Sequence, residues 1–146
     1  MIDEIAHETA VERGLTAGLI GSGYSQNKER VAQQRVVVDK AFDKFARYTQ
    51  QHKVSSTLFN AVLAKHKKIT ELRESVDKKQ GKQAFVVYSD SNKFMLDVAN
   101  RRVSQVKQSE AIASGLAIVE MSLLKERLGQ VRGKVNGVLS SKSISE

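Results

Sequence analysis

Apolar positions recur with helical spacing in three stretches of this chain. Val31, Val38, Phe42, Phe45 and His52 follow one another at seven, four, three and seven residues and so line one helix face. The opposite face carries Gln33, Gln34, Arg35, Asp39, Lys40, Asp43 and Lys44. Leu58, Val62, Lys65, Ile69, Leu72 and Val76 form a heptad-like stripe holding one lysine. The longest stripe runs through Leu96, Ala99, Val103, Val106, Glu110, Ala113, Ala117, Met121, Leu124, Leu128, Val131, Val135 and Val138. Its steps alternate three and four, apart from two consecutive fours at Ala113, Ala117 and Met121, a stutter that locally relaxes a left-handed supercoil.

The punctuation between stripes sets the boundaries. Residues 3–13 predict a short helix, with Asp3 and Glu4 where negative charge favours a helix start. From Gly14 to Asn27 there is no charge, and the segment 1–27 ends in a glycine-rich run. A first long helical region spans 28–80, interrupted near Val54-Ser55-Ser56-Thr57 and stopped by Gly81. A connector follows over 81–90, in which Ala84-Phe85-Val86-Val87-Tyr88 has strand-like composition but no strand to pair with, and reads as a packed loop. A second long helix covers 91–139, and the serine-rich tail 140–146 is expected to be disordered. The fold class expected is all-α: an elongated helical hairpin of two long amphipathic helices with a short N-terminal helix, made oligomeric because one hairpin buries only one seam.

Composition agrees with long helices, since the chain has no proline. It also lacks cysteine, which excludes disulfides, thiolate-bound metals and a thiol nucleophile. The N-terminus is acidic where a secretory signal is basic, and no apolar run approaches the roughly 20 residues of a membrane-spanning helix. Net charge is +8, with four acids against one base in residues 1–27 and most lysines and arginines in 28–109. Such a basic middle favours acidic partners.

The search for catalytic chemistry finds none. The histidines at 7, 52 and 66 have no metal-ligand spacing, and His7-Glu8 is followed by Val11 where a zinc-protease helix needs its second histidine. Gly21-Ser22-Gly23 lacks the third glycine of a dinucleotide loop, and Gly81-Lys82 lacks the rest of a phosphate loop. The expectation is a non-enzyme without cofactor or metal. Three surfaces are singled out instead. Gly14, Leu15, Gly18, Leu19, Ile20 and Gly21 form a small-residue face suited to close contact with lipid or a neighbouring subunit. Val103, Val106, Ala117, Met121, Leu124, Leu128, Val131, Gly133 and Val135 are the expected oligomer interface. Lys65, Lys67, Lys68, Arg101 and Arg102 offer phosphate contacts without sequence reading.

In its organisation the chain resembles the small internal virion, or ejection, proteins of short-tailed bacteriophages. The residues carrying the likeness are Gly14 to Asn27, then Lys28-Glu29-Arg30-Val31-Ala32-Gln33-Gln34-Arg35, and the Gly/Ser-rich end from Gly129 to Ser145. The resemblance implies a protein of the virion interior and then the host envelope, forming a ring or tube that helps genome delivery. Its implied partners are itself, other virion or envelope-spanning proteins, double-stranded DNA and a membrane surface. Two alternatives stand beside it: a coiled-coil adaptor or stalk of a bacterial secretion system, placed in the cytoplasm, and a sequence-independent nucleic-acid-binding protein.

Overall fold

The computed structural model describes residues 1–52, 54–104 and 109–141, the side chains of 102–114 excepted. Five helices follow in chain order: α1 (Ile2–Gly21), α2 (Lys28–Gln51), α3 (Ser56–Asp77), α4 (Ala84–Ser104) and α5 (Ser109–Ser141). Successive helices run antiparallel. Lys44 of α2 meets Glu4 of α1 at 2.8 Å while Gln34 meets Glu8 at 2.7 Å, and Phe42 and Phe45 of α2 stack on His66 and Phe59 of α3.

The turns between them use left-handed residues. After α1 the Tyr24 N–H donates to the Leu19 carbonyl at 2.8 Å and the Gly23 N–H to that of Ile20 at 3.0 Å, with Gly23 at φ +64°. This pairing closes orphaned carbonyls at the helix end, and glycine adopts the required φ without a Cβ penalty. The α3 end repeats the device, with Gln80 donating to Ser75 and Lys79 as the left-handed residue.

The elongated hairpin expected from the stripes is not the fold. The chain is a five-helix bundle, and α1, expected to be a short helix followed by a glycine-rich segment, is its axis, packed against α2, α4 and α5. Residues 14–21 are helical and continue α1 without a break. Around it sits one core: Ile5 and Leu19 of α1, Val38, Phe42 and Phe45 of α2, Val62, Ile69 and Val76 of α3, Tyr88 and Met95 of α4. That core is completed within one chain, so it needs no further copies to bury it. The segment Ala84–Tyr88 belongs to α4 and not to a loop, because Ala84 and Tyr88, four apart, are both buried in that core. The expected single helix over 91–139 is described as α4 and α5, with residues 105–108 and the tail from 142 outside the described residues.

Why α1 escapes an apolar reading is visible in what it buries. Thr9, Glu12, Arg13 and Thr16 are each at most 1% exposed, so a helix enclosed on several sides carries polar residues where a stripe should be. Buried charges are tolerated only when paired and hydrogen-bonded.

Candidate functional site between α1 and α5

Helices α1 and α5 lie side by side and parallel: Asp3 accepts from Ser122 at 2.7 Å, Arg13 reaches Glu126, and Gly18 and Gly21 abut Asn136 and Gly137. At Gly18 an added Cβ would stand 2.6 Å from Asn136 Nδ2, and at Gly21 it would collide with the Gly137 carbonyl. The backbones therefore close together at the C-terminal end of the seam. Toward the other end it opens into a cleft of about 470 Å³, walled by Ala6, His7 and Ala10 of α1 and by Lys125, Gly129 and Arg132 of α5.

Glu126 forms part of the cleft wall and is 9% exposed. Its carboxylate accepts from Arg13 Nη1 and from Nη2 at 3.3 Å, from Asn92 Nδ2 at 3.0 Å and from Gln130 Nε2 at 2.9 Å. Three helices thus supply donors to one carboxylate. Arg13 also donates to Ser89 Oγ at 3.1 Å, and its guanidinium lies 5.2 Å from the Phe85 ring centroid. Gly129 of the cleft wall also packs on this guanidinium, since a Cβ there would stand 3.2 Å from Arg13 Nη2. Two buried atoms of the cradle, Arg13 Nε and Asn92 Oδ1, make no hydrogen bond among the described residues.

A second polar knot lies on the other side of α1. Glu12 accepts from Arg73 Nε at 2.7 Å, Arg73 Nη2 at 2.8 Å and the Tyr88 hydroxyl at 2.7 Å. Arg73 Nη1 donates to Asp39 at 2.7 Å, and His66 Nε2 hydrogen-bonds the same Asp39 oxygen at 2.9 Å. Burial alone would lower the Arg73 pKa, but its bonds to Glu12 and Asp39 outweigh that and raise it. Burial, reinforced by the Glu12 charge, pushes the Tyr88 phenol above its ordinary range. Burial also raises Asp39, yet hydrogen bonds from His66 and Arg73 overcome it and hold the carboxyl below its usual value. These bonds tie α1 to α2, α3 and α4, and Arg35 Nε, buried 3.8 Å from Glu12, makes no hydrogen bond among the described residues.

The seam also carries a short internal repeat. Arg13-Gly14 and Gly18-Leu19-Ile20 on α1, with Ser22 just after it, are matched in order by Arg132-Gly133, Gly137-Val138-Leu139 and Ser141 on α5. The separation is 119 positions, the same as that between the bonded Asp3 and Ser122. In this alignment Arg132 lines the cleft, and Arg13 lies buried against Gly129 and Glu126 of its wall. A comparison of the chain with itself was the sequence signal that would have found them.

A family model described as nitrate and nitrite sensing, NIT, matches residues 4–146. The chain belongs to the NIT family. No curated protein and no solved structure matches it. NIT membership makes the chain a sensing module and not an enzyme. Among the described residues no group of three His, Asp or Glu side chains could hold a metal ion, and no helix is long and apolar enough to cross a membrane.

The NIT assignment overturns the resemblance to phage ejection proteins, which rested on residue texture and not on a motif. With it go the ring or tube for genome delivery, the virion and envelope location, and the virion-protein, membrane and DNA partners. The glycine-spaced face that suggested lipid or subunit contact is covered by α5 of the same chain: Gly18 and Gly21 meet Asn136 and Gly137, and the Gly14 carbonyl accepts from Asn136 at 3.2 Å. Leu19 is buried, and Leu15 and Ile20 pack against the core.

The basic residues singled out lie on α3 and α4. Lys65 Nζ lies 5.1 Å from the Phe94 ring centroid, and Lys67 pairs with Glu71 at 3.9 Å. Lys68 is exposed on α3, Arg101 borders a shallow recess with Leu58 and Phe94, and the Arg102 side chain lies outside the described residues. Of the expected interface, Ala117, Met121, Leu124, Leu128, Val131 and Val135 are exposed on α5. Gly133 is instead buried beneath Phe85, and Val103 and Val106 fall outside the described side chains.

Proposed function

We propose that this chain senses nitrate and nitrite by holding the anion in the α1–α5 cleft. The observation that carries the reading is the pair of repeat-related arginines, Arg13 and Arg132, brought to one small-residue seam in a chain of the nitrate and nitrite sensing family. Nitrate and nitrite are planar anions with an O–N–O edge. The planar guanidinium fork matches such an edge with two parallel charge-assisted hydrogen bonds. Lys125 and His7 add positive or hydrogen-bonding character to the same wall, against Asp3, whose carboxylate is engaged by Ser122. No side chain there is arranged as a nucleophile with a base, so the chemistry is recognition.

Isothermal titration of the purified chain with sodium nitrate and sodium nitrite, against sodium chloride at equal ionic strength, tests this. Saturable binding of both oxyanions is expected. Arg132 is exposed, so Arg132→Ala keeps the fold, and losing its charged hydrogen bonds should weaken binding at least about tenfold. Equal heats for chloride and nitrate, or unchanged affinity in Arg132→Ala, would remove the reading.

A further inference from the structure

We propose that Glu126 is a built-in competitor for the oxyanion: its carboxylate occupies the cradle of Arg13, Asn92 and Gln130, and nitrate or nitrite binds by displacing it. The inference rests on the sensing reading above and adds how the site would be gated and read out.

The cradle treats Glu126 as it would treat the anion. A carboxylate presents a planar O–C–O edge with one negative charge, and nitrite presents a planar O–N–O edge with the same charge; nitrate adds one more oxygen. The donors grip both carboxylate oxygens: Arg13 Nη1 and Gln130 on one, Arg13 Nη2 and Asn92 on the other. An anion entering the cleft meets this carboxylate before it meets Arg13, because Glu126 lines the wall while Arg13 is wholly buried behind it. Two like charges cannot share the cradle cheaply at low effective dielectric. One must leave.

The surroundings favour an exchange over exclusion. Lys125 and Arg132 line the same cleft on the same helix, so a Glu126 side chain that swings outward arrives among cations. The unpartnered Arg13 Nε shows that Glu126 does not use every donor of the cradle. Displacement also has a mechanical result. Glu126 is the side chain by which α5 is tied to Arg13 of α1 and Asn92 of α4, so its release loosens α5 from both while the anion keeps the Arg13 charge neutralised.

The experiment follows thermal unfolding in rising sodium nitrate, with sodium chloride at matched ionic strength as reference. It compares the unaltered chain with Glu126→Gln, Glu120→Gln and Arg132→Ala. Glu120 is an exposed acid on α5 away from the cleft and controls for bulk charge. A ligand at free concentration c that binds the folded form stabilises it by RT ln(1 + c/Kd), so Tm rises with ligand concentration and more steeply for a tighter binder. Glu126→Gln should bind nitrate about tenfold or more tightly, because the competing charge is gone while the side chain's shape is kept. If this variant is unstable in chloride, its buried Arg13 lacks a counter-charge, and nitrate should then restore Tm by more than it raises that of the unaltered chain. A nitrate response of Glu126→Gln no larger than that of the unaltered chain, or one matched by Glu120→Gln, overturns the proposal. Where the unaltered chain responds and Arg132→Ala does not, that failure leaves the sensing reading standing. No response in any variant overturns both.

Discussion

Glu12 and Arg13 are adjacent on α1 yet serve opposite halves of the bundle, Glu12 receiving Arg73 and Tyr88 while Arg13 reaches across to Glu126. One helical step of about 100° turns successive side chains apart. The acid therefore belongs to a locked knot and the base to a cradle beside an open cleft.

The locked side should show a large energetic cost when halved. Arg73→Leu leaves the Glu12 carboxylate buried with the Tyr88 hydroxyl as its hydrogen-bond donor and Arg35 Nε 3.8 Å away. Breaking a buried pair in this way costs about 3–5 kcal/mol, which urea denaturation would read as a lower midpoint. A loss below about 1 kcal/mol would mean that water reaches Glu12.

Stability should fall at both ends of the pH scale for identifiable reasons. Tyr88 has a folded pKa raised above the ordinary 10.0, so the stability it contributes is complete below pH 10 and declines as pH rises beyond it. Asp39 has a folded pKa lowered from 3.8, so its contribution is complete above that value and declines as pH falls through the folded one. Melting curves of Tyr88→Phe should lose the alkaline decline and keep the acid one, and Asp39→Asn the reverse. The same curves in both variants would refute the assignment.

Glycines of α1 should respond oppositely to alanine. Gly14 has open space around an added Cβ, so Gly14→Ala removes a helix-interior glycine and should stabilise by roughly 0.5–1 kcal/mol. Gly21 faces the Gly137 carbonyl, so Gly21→Ala must push α5 away and should lower Tm, at about 2–4 °C per kcal/mol for a chain of this size. Tm measurements on the two single variants decide this directly.

On α5, Leu124 and Leu128 are 53% and 61% exposed. Substituting both with Glu should change the chain's unfolding free energy by no more than about 0.5 kcal/mol per site. A loss of several kcal/mol would place these side chains in the core.

The stripes of α2 and α3 were legible because apolar side chains do the packing there: Val31, Val38, Phe42, Phe45, Val62, Ile69, Leu72 and Val76 are all buried. Even Lys65, the odd member, lays its stem toward Phe94. The stripe of α5 was equally legible, but within this chain Met121, Leu124, Leu128, Val131, Val135 and Val138 face outward while Val119, Glu126 and Gly133 face in. Helix α1 was illegible as a core element because its inward residues include Thr9, Glu12, Arg13 and Thr16. A period of hydrophobicity cannot report burial by charge pairing. The cleft was hidden for a related reason: its walls are Ala and Gly, and its charged members look like surface residues until the bundle closes.

Because α1 and α5 lie parallel and adjacent, the face of α1 that carries Arg13 gains its covering from the helix most distant from it in sequence. The Arg13–Glu126 contact spans 113 positions, whereas the α2–α3 hairpin closes between near neighbours in sequence. Loop-closure entropy and the dependence of rate on sequence separation place the hairpin early and the sealing of α1 late. Pulse-labelled amide exchange during refolding should protect α2 and α3 before α1. Arg13 thus lacks its carboxylate partner until α5 docks, and assembly of the α1–α5 cleft and completion of folding are one event.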